Sequence, residues 1–396
     1  MTCLRRLTVF KNKNKLSPRY VPPILPHREE QIRSLFTIFE DVLEDPSQVY
    51  LRPVQIIGGI GTGKTSTTIR FADDLQAKAK ERKINLGHVY ANLKLQGSSR
   101  TVLYRYLLDK AAPEIRTASL SGDEMLHQLV KYLESKDRYL IISLDEIEYF
   151  MKHTKENVIY DLTRLNELTP EKICRVVGLI VISRGTNYYN LLDKSELSSL
   201  GRIYVEFQPY TPDQIRDILL SRSDEAFKRG AVPDDVINFI AEVTAASPVD
   251  GDIRYALDLL LYAGNLADNQ GSETLKLDYV RRVHGEVYRE ITSQDLMDLP
   301  DPEKVVLLAV ARTLRNKKAA YVSFQDIQSE AAFVSEDLQI KLENLDYAIQ
   351  DLGDRGMIDI KSLVHIGISN IPTEDLIRYL DSLVDRIKGD LREHER

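Results

Sequence analysis

One octapeptide, Gly58-Gly59-Ile60-Gly61-Thr62-Gly63-Lys64-Thr65, constrains the fold of this 396-residue chain more than anything else in it. It matches G-x-x-x-x-G-K-[ST] without a gap. The context fits: residues 54–57 are an apolar run of strand type, and helix-spaced residues follow to Leu75. Glycines let backbone N–H groups turn inward around phosphate oxygens, where side chains would obstruct them. Lys64 can reach the β- and γ-phosphates as a point charge, and the Thr65 hydroxyl can serve Mg²⁺. A helix starting near Lys64 aims its positive end at the same anion. Gly61, Thr62, Gly63, Lys64, Thr65 and Ser66 are therefore the expected phosphate site for ATP or ADP with Mg²⁺.

The second half of such a site comes 81 residues after Lys64, where Leu140-Ile141-Ile142-Ser143-Leu144 reads as a buried strand ending in Asp145 and Glu146. Asp145 is the expected holder of the Mg²⁺ shell, and Glu146 is expected to orient and polarise the attacking water. An apolar strand followed by two acids means little alone; it acquires meaning from the glycine loop upstream.

Strand-type and helix-type stretches alternate over residues 50–207, which predicts an α/β core with a parallel sheet covered on both faces. Prolines over residues 17–26 predict an extended lead-in, and apolar spacing predicts a helix over 28–43. After Phe207 the strand signals stop. Thr211-Pro212 reads as a cap with proline in the first turn, and further helices fit 234–244, 251–266 and 278–291, an all-helical lid. Leu299-Pro300-Asp301-Pro302 reads as a linker. Beyond it come helices over 303–315 and from a capping box at Ser323-Phe324-Gln325-Asp326, a third helix over 336–352, and apolar runs at 357–360 and 363–368. Three helices and a hairpin outline a winged helix, with a plain helical bundle as the alternative. The expected divisions are a basic arm (1–20), a nucleotide-binding core (21–207), a helical lid (208–295) and a winged-helix domain (296–396).

Charge is uneven. Residues 1–20 carry Arg5, Arg6, Lys11, Lys13, Lys15 and Arg19 with no acid, so the remainder must hold −13 to reach the net −7. Such an arm either seeks a polyanion or is a solvated tail. Cys3 and Cys174 show no metal-ligand spacing and are too few for a disulfide framework. No run approaches the ~20 apolar residues of a membrane span, and no long apolar stretch follows Arg5 and Arg6, so neither membrane anchor nor signal peptide is expected.

The succession of phosphate loop, acid-terminated strand, helical lid and winged helix resembles the AAA+ initiator family. Tyr20-Val21-Pro22 with Pro26-His27-Arg28-Glu29, Phe207-Gln208-Pro209-Tyr210, and Gly251-Asp252-Ile253-Arg254-Tyr255-Ala256-Leu257 are similar to signatures of the archaeal origin-recognition/Cdc-six replication initiators. The resemblance runs from about residue 17 to the end and weakens over the last hundred residues. It implies that the segment with Val21 walls the adenine pocket, that Tyr210 and Arg222 contact nucleotide, and that Arg254 is the lid arginine facing the γ-phosphate. It also implies double-stranded origin DNA, the MCM helicase and a paralogous initiator subunit as partners, in a cytoplasmic, nucleoid-associated setting. Two departures stand out. Where the family usually has an asparagine after the fourth core strand, this chain has Arg184, with Asn187 three residues on; and where it tends to carry a finger arginine before Ser198-Ser199-Leu200, this chain has Asp193-Lys194-Ser195-Glu196. Since such a finger is worth about 10³–10⁵ in rate, slow turnover is expected, with bound nucleotide acting as a switch.

The charge of the C-terminal part pulls against DNA binding. Residues 300–396 hold 13 Lys and Arg against 18 Asp and Glu, unfavourable to a phosphate backbone. Arg315, Lys317 and Lys318, beside Arg312, form the best basic cluster; Lys341 is the sole cation in the expected recognition helix 336–352. Arg116, with Arg100, Arg105 and Lys110, lies in the stretch 98–130 where the resemblance places a DNA-contacting insertion. Either the chain binds duplex DNA modestly, or its winged helix docks a protein. A clamp-loader-like motor is a further alternative.

Overall fold

The computed structural model describes residues 8–97, 99–154, 156–168, 174–288 and 291–394. It divides into two compact units, one of residues 21–210 with 251–253, the other of residues 1–20, 211–250 and 254–396.

The first unit is built on five parallel strands, β1 (Arg52–Gly58), β2 (Leu86–Asn92), β3 (Tyr139–Asp145), β4 (Val176–Ser183) and β5 (Tyr204–Phe207), in the order β2-β3-β4-β1-β5. Every residue of β3 and β4 is buried, as near-continuous apolar strands require when helices cover both faces. Successive side chains alternate between two cores. Leu140, Ile142, Leu144, Leu179 and Val181 join the layer that includes Leu103, Leu107 and Leu129. Ile141, Val177, Ile180 and Ile182 join Leu35, Phe39, Phe71 and Leu75. The helix Arg100–Ala111 opens on a Ser99 cap, and Gly122–Ser135 opens on a full capping box between Ser121 and Glu124. The strand order matters for function: β4 separates β1 from β3, so the segments leaving these three strands emerge side by side.

The second unit holds the lid helices Pro212–Ala226, Asp234–Ala245, Ile253–Asn269 and Leu277–Val287. Thr211 caps the first in a box with Gln214, with Pro212 in the first turn. A three-stranded antiparallel sheet, β6 (Tyr321–Val322), β7 (Asp359–Ser362) and β8 (His365–Gly367), joins the helices Asp301–Lys317, Phe324–Leu338 and Leu345–Asp354 around one core. Lid and C-terminal region are tied together through polar contacts. Arg281, 2% exposed, donates from Nε to the Ile368 carbonyl at 2.7 Å, Lys361 pairs with Glu242 at 2.6 Å, and the Thr373 hydroxyl donates to Asp278 at 3.0 Å. Among the described residues no helix is long and apolar enough to cross a membrane.

Several local expectations need correction. The helix expected over 336–352 is two elements: Gln339 turns left-handed (φ 55°) and closes Phe324–Leu338, and Asn344 caps a new helix by accepting from the Tyr347 N–H. Apolar Leu338, Ile340, Leu342 and Leu345 had bridged that break in the sequence pattern. The helix expected over 28–43 breaks at Phe39 into Glu29–Ile38 and Glu40–Glu44. Residues 8–20 are no free arm: Phe10 stacks on Phe227 at 4.6 Å, Lys13 lies 3.5 Å from Asp268 and Lys15 3.0 Å from Glu225. Cys3, Arg5 and Arg6 lie outside the described residues. Leu299-Pro300-Asp301-Pro302 is no loose linker, because Leu299 is buried and Pro302 sits in the first turn of Asp301–Lys317. The helix Thr373–His394 was not anticipated.

In the lid, His284 is 8% exposed, lies 2.8 Å from the Tyr255 hydroxyl, and burial pushes its pKa down to about 4. The folded lid thus keeps this imidazole neutral while the unfolded chain protonates it below about 6.5. The associated stability is complete above pH ~6.5 and falls by up to about 3 kcal/mol as pH drops towards 4. His284→Gln is expected to flatten the dependence of the unfolding temperature on pH between 7 and 5, where carboxylates stay ionised. An unchanged slope would show that the imidazole titrates normally.

Candidate functional site

The glycine loop leaves β1 and runs into the helix Lys64–Glu81, whose N-cap Gly63 is left-handed at φ 85°; Gly61 is also left-handed at φ 69°. Both conformations favour glycine, and space forbids a side chain as well. A Cβ on Gly63 would come within 2.6 Å of the Tyr210 hydroxyl, and one on Gly61 would fall on Asp252. Lys64 Nζ donates to the Gly58 and Gly59 carbonyls at 2.7 and 2.6 Å. The Thr62 hydroxyl donates to the Gly59 carbonyl at 3.0 Å. Ser66 follows in the first turn of the helix.

From the end of β3, the Asp145 carboxylate reaches this helix start: the Thr65 hydroxyl donates to Asp145 Oδ2 at 2.6 Å. The Tyr90 hydroxyl, from β2, donates to the same oxygen at 2.7 Å; burial and the neighbouring carboxylate push its pKa well above the ordinary phenol value. Thr65 and Asp145 thus present adjacent oxygen donors of the hard kind that Mg²⁺ takes. No group of three or more His, Cys, Asp or Glu side chains suited to a metal exists among the described residues. A cation here would complete its shell with phosphate and water oxygens, the usual Mg²⁺ arrangement. Glu146 follows in a left-handed conformation, φ 60°, and its carboxylate pairs with Arg184 at 2.9 Å.

Behind the loop lies a brace with no role assigned from sequence. Arg28, 3% exposed, donates from Nε to the Thr62 carbonyl at 2.9 Å, from Nη1 to the His27 carbonyl at 2.7 Å and from Nη2 to the Gln208 carbonyl at 3.1 Å. Its guanidinium lies 3.7 Å from the centre of the buried Tyr210 ring, and burial lowers the Arg28 pKa. The Gly251–Ile253 turn also meets the loop, with the Ile253 N–H donating to the Gly61 carbonyl at 3.4 Å. So the structure brings Tyr210 to the phosphate loop beside Gly61–Thr65, Asp145 and Glu146. Val21 is half-buried at the start of the same unit. In the other unit, Arg222 is 6% exposed and donates from Nη2 to the Tyr20 carbonyl at 3.1 Å, and Arg254 stands in the first turn of Ile253–Asn269.

The expected DNA contacts are scattered. Arg116 is exposed in the connection between Arg100–Ala111 and Gly122–Ser135. Lys317 is paired with Asp326 at 2.7 Å, and Arg312 with Asp381 at 2.9 Å. Arg315 and Lys318 are exposed at the end of Asp301–Lys317. Lys341 is not on the helix Leu345–Asp354; it lies in the preceding loop, 3.2 Å from Glu343. The helix Leu345–Asp354 contains Asp346, Asp351 and Asp354 and no Lys or Arg.

Residues 52–185 match the AAA domain and residues 216–285 the Cdc6 AAA+ ATPase-type lid domain. The ORC1-type DNA replication protein of Pyrococcus furiosus is 34% identical over 313 residues, covering 78% of this chain and 72% of that protein. The chain belongs to the ORC1-type DNA replication proteins. A second such protein, from Sulfurisphaera tokodaii, is 31% identical over 84% of this chain and 80% of its own length. Among solved structures, Cdc6p from Pyrobaculum aerophilum superposes with a TM-score of 0.81 at 27% identity, over 96% of this chain and 99% of that one. The ORC1 protein of Aeropyrum pernix in complex with DNA gives 0.61 at 27%, over 96% and 98%. In this ORC1-type replication initiator the AAA+ sheet, the helical lid and a small C-terminal sheet all follow the family fold.

Truncating Arg28 tests the brace. Arg28→Ala removes the donor from buried carbonyls and a cation from Tyr210, and is expected to cost the core unit roughly 2–3 kcal/mol. Arg28→Lys, with charge but no planar fork, should recover only part. Equal unfolding midpoints for wild type and Arg28→Ala would refute the role.

Proposed function

We propose that this initiator binds ATP at the glycine loop, hydrolyses it slowly as a switch, binds double-stranded origin DNA, and helps recruit and load the MCM helicase. The observation that carries the nucleotide reading is the convergence of Lys64, Thr65 and Asp145 at the ends of β1 and β3. Backbone N–H groups of Gly61 to Ser66 would surround the phosphates. Lys64 would leave the Gly58 and Gly59 carbonyls for the β- and γ-phosphates. Thr65 and Asp145 would hold Mg²⁺, which supplies charge neutralisation on the phosphates. Glu146 would take the proton of the attacking water; Arg254 would face the γ-phosphate; the segment with Val21 would wall the adenine pocket, and Tyr210 and Arg222 would contact nucleotide. The solved relative described as an ORC1 protein in complex with DNA supports the DNA reading, with Arg116, Arg315, Lys317, Lys318 and Lys341 as the contacts to test. A paralogous initiator as partner and a nucleoid-associated place in the cytoplasm complete the proposal.

A second reading draws on the acidic recognition helix. With no cation in Leu345–Asp354, and with Leu363 and Val364 71% and 62% exposed on the wing, the winged helix suits a protein surface better than a phosphate backbone.

Lys64→Ala is expected to weaken uptake of a fluorescent ATP analogue by roughly tenfold or more, since a hydrogen bond to a charged group is worth about 1.5–3 kcal/mol; undiminished uptake by a folded variant removes the phosphate site. A titration of duplex binding against salt separates the two readings of the winged helix. If Lys and Arg side chains meet phosphates, the log–log slope shrinks by about one unit for each such cation replaced by alanine. A slope near zero leaves the protein-docking reading.

A further inference from the structure

Arg184 reaches Glu146 from the end of β4. β4 runs between β1 and β3 and ends at Ser183, so residue 184 leaves the sheet between the glycine loop and Glu146. Its Nη2 lies 2.9 Å from Glu146 Oε2 and 3.2 Å from Oε1. Its backbone is anchored as well, because the Arg184 N–H donates to Glu148 Oε1, and Glu148 belongs to the helix Ile147–His153 that follows Glu146 directly. Glu146 itself is fixed in a left-handed turn. Both partners of the ion pair are therefore held by the backbone in facing positions.

We propose that Arg184 is a positioning residue that brakes hydrolysis by holding the Glu146 carboxylate in this ion pair. The inference rests on the assignment of ATP to the glycine loop. In the reaction assigned there, the water oxygen bonds to the γ-phosphorus, the bond from that phosphorus to the bridging oxygen of the departing ADP breaks, and the water proton passes to Glu146. A carboxylate held through both oxygens by one guanidinium N–H group is oriented towards that partner and not towards the water it must meet. The pair must open first. Its side chains are 52% and 25% exposed, so opening is a modest, repeatable step that slows turnover by a factor of a few to ten without abolishing it. An asparagine in place of Arg184 would leave Glu146 unpaired by charge.

The test uses the full chain with Arg184→Asn and Arg184→Ala. Release of the brake predicts a three- to tenfold rise in kcat for ATP. Affinities for fluorescent ATP and ADP analogues should stay within about twofold of wild type, because the brake acts on Glu146 and not on nucleotide. Combining Arg184→Asn with Glu146→Gln should give no more activity than Glu146→Gln alone. A kcat that is unchanged or falls, together with loss of preference for ATP over ADP, overturns the proposal and makes Arg184 a γ-phosphate ligand. Arg184→Lys, which keeps the charge but offers a single point of attachment, should fall between wild type and Arg184→Asn; equal rates for Lys and Asn variants also overturn it. Failure of the underlying reading looks different: wild type itself would take up neither analogue.

Discussion

The hydrogen bond from Thr65 to Asp145, 2.6 Å long, is the contact on which the arrangement of the site depends. Its partners are 80 residues apart and come from a helix start after β1 and from the end of β3. Those ends are level only because β4 pairs with both strands in parallel register, Ile57 with Ser183 on one side and Leu144 with Val181 on the other. Parallel strands buried on both faces allow little slippage, since a shift by one residue would exchange the two cores. The apolar layers thus set the positions of two oxygen atoms. Tyr90, from the neighbouring strand, fixes the carboxylate further through the same oxygen.

The loop itself is held from behind. Arg28 answers three main-chain carbonyls with one rigid fork, from Thr62 in the loop to Gln208 just after β5. Burying a cation is costly; here carbonyl dipoles and the Tyr210 ring offset that cost. The Gly251–Ile253 turn lies on Gly61 in the same unit. The phosphate loop is therefore touched by three chain segments that are remote in sequence.

Charge in the second unit is largely used in internal pairing. Lys13, Lys15, Arg312, Lys317 and Lys361 each lie against an acid, and Arg281 is buried among carbonyls and Asp278. A basic count taken along the chain therefore overstates the positive surface open to a polyanion. This is the physical ground for weighing protein docking beside DNA contact at the acidic helix Leu345–Asp354.

The linear sequence by itself determined the α/β class, the glycine loop with Lys64 and Thr65, and the acids at 145 and 146, because these depend on residue type at fixed spacing along one strand, one turn and one helix. It also marked the capped helix starts at Thr211 and Ser323, where a side chain answers a backbone N–H three residues on. Only the tertiary structure decided the strand order, and with it the meeting of Thr65 with Asp145, of Tyr90 with the same carboxylate, and of Arg184 with Glu146. It alone decided that Arg28 braces the loop, and that a helical pattern over 336–352 breaks at a left-handed Gln339. Contacts between residues far apart in the chain follow from how layers pack, and local spacing carries no record of that packing.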